Sequence, residues 1–194
     1  MRIITSFENQ LVIELFNEII QRVVFRSFEE DSSIPVVETA TASTRSQILT
    51  EICGEIDVTI VSLAEMLHEG DQVMGGCWYT DSLDSGEARE WTIGLRGAST
   101  SVPLSALIHE AMHLGQYLTG RLRTVKDGSG YDDCTNYWLG EPSNGLDYDD
   151  QPWEDEVYGK QDQWLLDLTQ EPDFLALLVR LADSQRESEV ASEV

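Results

Sequence analysis

From Leu11 onward apolar residues recur at intervals of mostly three and four: Leu11, Ile13, Leu15, Phe16, Ile19, Ile20, Val23, Val24 and Phe25. This period places them on one stripe of a helix that Ser6 can cap and that runs to about Ser27, where Glu29-Glu30-Asp31-Ser32-Ser33 ends it. Ile34 to Thr39 is β-branched after a loop and reads as a short strand, and a second helix is expected over Ser46 to Cys53, capped by Ser43 or Thr44 and stopped by Gly54. Ile56 to Leu63 reads as a strand, with a short helix following near Ala64 to His68. Gln72 to Thr80 and Arg89 to Arg96 read as two strands joined by the polar turn Asp81 to Gly86.

The period changes again at Pro103, which suits the first turn of a helix extending to Leu118, with Gly120 as its stop. Lys126 to Gln151 is rich in Gly, Asp and Asn and is expected to be an irregular loop. Pro152 opens a helix through Leu168, and Pro172 a last one to about Ser184. The order is that of an α+β domain: a small, mainly antiparallel sheet ahead of the helix from Pro103, then a helical C-terminal half. We expect one domain over residues 1–184 and a flexible acidic tail over 185–194.

Composition narrows the class. The chain has 194 residues, 41% of them hydrophobic, enough for a packed core without staples. Its formal net charge is -24, from 36 acidic against 12 basic residues, of which only Lys126 and Lys160 are lysines. Such a surface repels polyanions, so neither nucleic acid nor an anionic membrane is expected as a partner. The lysine depletion looks halophile-like; an ordinary acidic phage or bacterial protein is the next reading, and a nucleic-acid mimic the third. Cys53, Cys77 and Cys134 contain no CxxC pair and read as small buried residues of a reducing compartment. Glu8, Glu14 and Glu18 interrupt any apolar leader, and no run of about 18 apolar residues occurs, so a cytoplasmic protein is expected.

The chemistry concentrates in His109-Glu110-Ala111-Met112-His113, which carries two of the three histidines. Histidines four apart on a helix project from one face and can share a metal ion, while the Glu beside the first reaches the water the ion polarises. On the helix from Pro103, Leu104, Leu107, Ile108, Ala111 and Leu118 form an apolar stripe, and His109, His113 and Gln116 fall on the adjoining face. His68 lies alone near a helix end and is not a candidate ligand. No histidine follows His113, so a third ligand has to be a carboxylate, and the best source is Pro152-Trp153-Glu154-Asp155-Glu156-Val157-Tyr158 at the start of the next strong helix.

Together these segments resemble the small zincin peptidases of phage and bacterial genomes, whose pattern is HExxHxxQ followed by PxExEAY. His109 to Gln116 fits the first part and Pro152 to Tyr158 the second, with Val157 in place of Ala. More broadly they are similar to gluzincins, whose third ligand is a Glu on a later helix; the Asp or Asn usual after the small residue is Tyr158 here. The resemblance covers about a quarter of the chain directly, and it implies a zincin-like fold and a zinc metallopeptidase acting on a peptide or protein, of the kind encoded by phages, viruses and prokaryotes. Zn2+ would be held by His109, His113 and Glu154, with Glu110 as general base. At about 100° per residue Glu154 falls on the apolar face with Trp153, Val157, Trp164, Leu165 and Leu168, whereas Glu156 sits at its edge. Glu154 is therefore preferred as ligand and Glu156 is the alternative.

Tyr131, Tyr148 and Tyr158 are candidates to stabilise an oxyanion, and spacing does not choose among them. Asp147-Tyr148-Asp149-Asp150 lacks the ligand spacing of a calcium loop and reads as a solvated turn. Two other functions compete: a catalytically inactive zincin-fold metal-binding virion or regulatory protein, and an acidic interaction protein in which the motif is incidental.

Overall fold

A computed structural model describes residues 1–5, 9–31, 42–63, 74–96, 104–126 and 133–192. The expected strand at 34–39, the short helix at 64–68, Ser6, His68, Pro103 and Tyr131 lie outside these residues. The long amphipathic pattern forms α1 (Gln10–Glu30), whose N-cap is Asn9: its side chain accepts from the Leu11 N–H at 2.9 Å. Leu15, Phe16, Ile19, Ile20, Val23 and Val24 are buried along it, so the stripe read from the sequence is the face that enters the core. The helix α2 (Ala42–Cys53) ends at Gly54, whose φ of 74° explains a glycine stop there.

Strands β1 (Arg2–Thr5), β2 (Asp57–Ser62), β3 (Gly75–Tyr79) and β4 (Glu90–Leu95) form one sheet in the order β1-β2-β4-β3. The pairs β1–β2 and β2–β4 are parallel and only β3–β4 is antiparallel. The sheet is therefore mixed, not mainly antiparallel. Two pairings cause this: β2 skips β3 and pairs in parallel with β4, and β1, a four-residue strand too short to announce itself by period, reaches β2 through the helical connection containing α1 and α2.

The region from Lys126 to Gln151 is more ordered than its composition suggests. It carries most of a second sheet of β5 (Leu122–Lys126), β6 (Cys134–Trp138) and β7 (Glu141–Pro142), followed by a 3-10 turn at Tyr148–Asp150. Between β6 and β7 a two-residue turn has Leu139 at φ 51° and Gly140 at φ 89°, the double positive φ of a tight hairpin turn. Leucine at the first of these positions hides the hairpin from a search for Asn-Gly. An isolated bridge between Asp84 and Val125 links this sheet to the β3–β4 connection.

The helices α3 (Leu104–Leu118), α4 (Pro152–Gln170) and α5 (Pro172–Ser192) complete an α+β fold. Helical backbone in α5 continues past the expected end at Ser184 to Ser192. No helix among the described residues is long and apolar enough to cross a membrane. Helix α3 occupies the centre, against α1 on one side and α4 on another. At Gly115 it packs tightly on α1: a Cβ there would lie 2.2 Å from the Ser27 Oγ. Gly115→Ala should therefore destabilise by about 1–3 kcal/mol from overpacking, despite alanine's better helix propensity. Urea unfolding reads this, and Ser27→Gly should restore the loss; a more stable Gly115→Ala would refute the close contact.

Candidate metal centre

Every residue from Leu107 to Gln116 is buried. An apolar stripe of Leu107, Ile108, Ala111 and Leu114 accounts for part of this, but His109, Glu110, His113 and Gln116 are taken into the interior with it. Glu154, on the first turn of α4, is buried too, at 7% exposure; it and Glu110 are the buried acids among the described residues. Polar groups in such a place need partners. They find them in each other.

The two imidazoles meet edge to face, with the Nε2 atoms of His109 and His113 3.0 Å apart. Glu154 bridges them, Oε2 lying 3.2 Å from the His109 Nε2 and Oε1 3.2 Å from the His113 Nε2. Donors around a four-coordinate ion at about 2.0–2.1 Å stand roughly 3.3 Å from one another. The observed spacings are close to that requirement. Two ring nitrogens and a carboxylate turned toward one point also call for a cation between them, since their lone pairs otherwise repel. The group thus fits a metal ion, and His109, His113 and Glu154 form a buried metal-site candidate.

The far side of each ring is held by an amide. His109 Nδ1 lies 3.1 Å from Gln161 Oε1 and His113 Nδ1 2.9 Å from Gln116 Oε1, which leaves both Nε2 atoms facing the centre. Burial alone would make His113 harder to protonate, but the hydrogen-bonded Glu154 carboxylate outweighs it and raises the pKa. Burial likewise opposes the charge on Glu154, yet hydrogen bonds from His109, His113 and Tyr148 hold its carboxyl well below the usual carboxylate range.

Glu110 is different. Burial pushes its carboxyl up to about 7, against the pull of His113 and His109 and with some help from Glu154. It faces β3 where there is no side chain: a Cβ on Gly75 would stand 2.6 Å from Glu110 Oε1. Gly75, Met74, Ser105, Ala106, His109 and Glu110 lie along a cleft of about 600 Å³. A smaller recess continues from it to His113 and Glu154.

Of the tyrosines, Tyr148 and Tyr158 reach this cleft, both about half exposed. The Tyr148 hydroxyl donates to Glu154 Oε2 at 2.7 Å, and the Tyr158 ring packs on His109 with centroids 4.9 Å apart. Burial, Tyr158 and the Glu154 carboxylate all raise the Tyr148 pKa, so it remains a donor. Asp149 and Asp150 are exposed in the 3-10 turn.

Glu156, the alternative third ligand, points elsewhere. It pairs with Arg121 and with Lys160 and accepts a hydrogen bond from Gln116 Nε2 at 2.9 Å. One helical turn beyond the start of α4, its carboxylate faces the cations at the end of α3 and on α4 instead of the imidazoles. Gln161 and Gly75 were not among the residues singled out from the sequence. Gln161 follows Glu154 by seven positions, the same helical face, and that spacing could have found it; nothing local marks Gly75. No protein-family model, curated protein or solved structure matches the chain.

Proposed function

We propose that this protein is a zinc-dependent metallopeptidase of the gluzincin-like zincin type, with His109, His113 and Glu154 as the ligands and Glu110 as the general base. The observation that carries the reading is the convergence of three donors from two helices, spaced 3.0 to 3.2 Å, at the inner end of an open cleft that Glu110 also lines. Two imidazoles and one carboxylate suit zinc, and a three-residue set leaves a coordination position for water or substrate.

When bound, the ion would supply Lewis-acid polarisation of the scissile carbonyl and lower the pKa of a water molecule. The protein's own groups do the rest. Glu110 accepts the proton of the attacking water and delivers it to the leaving amine, a role suited to a carboxyl whose pKa burial has moved toward neutrality. Its partial enclosure against Gly75 holds it in one place for both transfers. Tyr158 brings a phenol hydrogen to the cleft, where a developing oxyanion can accept it, while the Tyr148 hydroxyl holds Glu154. Strand β3 is the last strand of its sheet among the described residues and carries Gly75 beside Glu110, so an extended peptide could pair along it. The charge of -24 disfavours nucleic acid or an anionic membrane as partner, which leaves room for a peptide or protein substrate.

Metal analysis of the purified protein combined with a broad peptide panel read by mass spectrometry tests this. The expected result is one zinc per chain and cleavage that a chelator removes and added zinc restores. Zinc without cleavage of any peptide would favour a metal-binding protein that has lost the reaction. Absence of any metal under nonchelating conditions would refute the site itself.

A further inference from the structure

We infer that Glu156 is a positioning residue: its carboxylate fixes the orientation of the Gln116 amide, and through it the tautomer of His113. Gln116 is 1% exposed and its amide must satisfy every partner inside the protein. A glutamine offers two N–H donors on one atom and an acceptor on the other, and the two ends look alike in shape. Here Nε2 faces the Trp153 carbonyl oxygen at 3.0 Å and Glu156 Oε2 at 2.9 Å. Both are acceptors with no hydrogen to give. The amide nitrogen has to be on that side.

Its oxygen is then turned to His113 Nδ1, 2.9 Å away, which must carry the hydrogen. The neutral ring is left with its lone pair on Nε2, the atom facing His109 and Glu154. Were the amide reversed, its oxygen would meet the Trp153 carbonyl and the Glu156 carboxylate, acceptor against acceptor, and His113 would be asked for a lone pair on Nδ1. A backbone carbonyl alone gives a neutral hydrogen bond. The carboxylate makes the charge-assisted one, roughly twice as strong. Arg121 and Lys160 keep that carboxylate anchored from its other side, Lys160 Nζ at 2.9 Å.

His109 has no equivalent. Its partner Gln161 stands on the cleft wall and makes only that one side-chain hydrogen bond among the described residues. The Glu156–Gln116–His113 chain therefore locks one ring and leaves the other dependent on a single contact. The orientation of the Gln116 amide follows from Trp153 and Glu156 alone; its effect on metal binding rests on the function proposed above.

The test uses full-length protein with ¹⁵N-labelled histidine, stripped of metal and raised in pH until the ring ¹⁵N shifts stop moving, and zinc affinity measured by chelator competition. Wild-type His113 should show a single tautomer with hydrogen on Nδ1. Glu156→Gln presents either end of an amide to Gln116, so His113 should become a mixture and zinc affinity should fall about 10- to 100-fold. Combining Glu156→Gln with Gln116→Glu puts the acceptor beside His113 and the donor beyond it, and should recover the single tautomer, while the Trp153 carbonyl, left without its donor, holds the affinity below wild type. Arg121→Gln and Lys160→Gln remove the ion pairs alone and should cost far less affinity. A single Nδ1–H tautomer in Glu156→Gln, or an equal affinity loss in Arg121→Gln, would overturn the role and leave Glu156 an ion-pair staple. If Glu156→Gln does not fold, the combined variant decides: loss of the single tautomer there overturns the role as well. A tautomer change in a protein that takes up no zinc would uphold the positioning role and reject the peptidase reading.

Discussion

Glu110→Gln should keep its full zinc content and lose at least about 10²- to 10⁴-fold in peptide cleavage, the range expected when a general base is removed. The two residues have nearly the same shape, so the buried volume beside Gly75 stays filled and the helix between His109 and His113 is undisturbed. What is lost is a group that can take and return a proton. Because Glu110 is not among the three converging donors, the zinc content should not follow the activity. Parallel measurement of metal content and initial cleavage rate separates the two quantities. Unchanged cleavage in Glu110→Gln would move the proton transfer to another group, and loss of zinc would make Glu110 a ligand.

The second large effect is thermal. An ion that binds only the folded chain stabilises it by about 4.1 kcal/mol when present at roughly a thousand times its dissociation constant. For a chain of 194 residues each kcal/mol moves the unfolding midpoint by about 2–4 °C, so zinc should raise the midpoint by roughly 8–16 °C. Glu154→Gln should abolish most of that rise, because the variant replaces the carboxylate shared by both imidazoles with a neutral amide. The quantity compared is the difference with and without zinc for each protein, so any change in the metal-free variant cancels. A full zinc-dependent rise in Glu154→Gln would exclude it as the third ligand.

Much of the site could be seen in the chain before its fold. His109, Glu110 and His113 are placed by a short-range rule, helical spacing, which survives whatever the rest of the protein does. Glu154 follows from the same rule applied to α4, and the structure brings it to the imidazoles while turning Glu156 to Arg121 and Lys160. What spacing cannot reach is contact between distant segments. Gly75 matters only because β3 passes beside α3, and Tyr148 is singled out only because the 3-10 turn delivers its hydroxyl to Glu154. The fold was legible in its helices for the same reason. The parallel pairing of β1 depends on four residues meeting β2 some fifty positions later, and the β6–β7 hairpin turns on a leucine in a conformation leucine seldom adopts.

The unequal holding of the two imidazoles has a consequence for how such a protein can diversify. Around His113 the partners are interior and interlocked, so a change at Gln116, Glu156 or Arg121 asks for compensation at another position before it can be kept. Around His109 the partners are Gln161 and Tyr158, which also line the cleft. In the peptidase proposed above, selection for new substrates could act on those two positions one residue at a time while the interior half carried the inheritance of the geometry around His113.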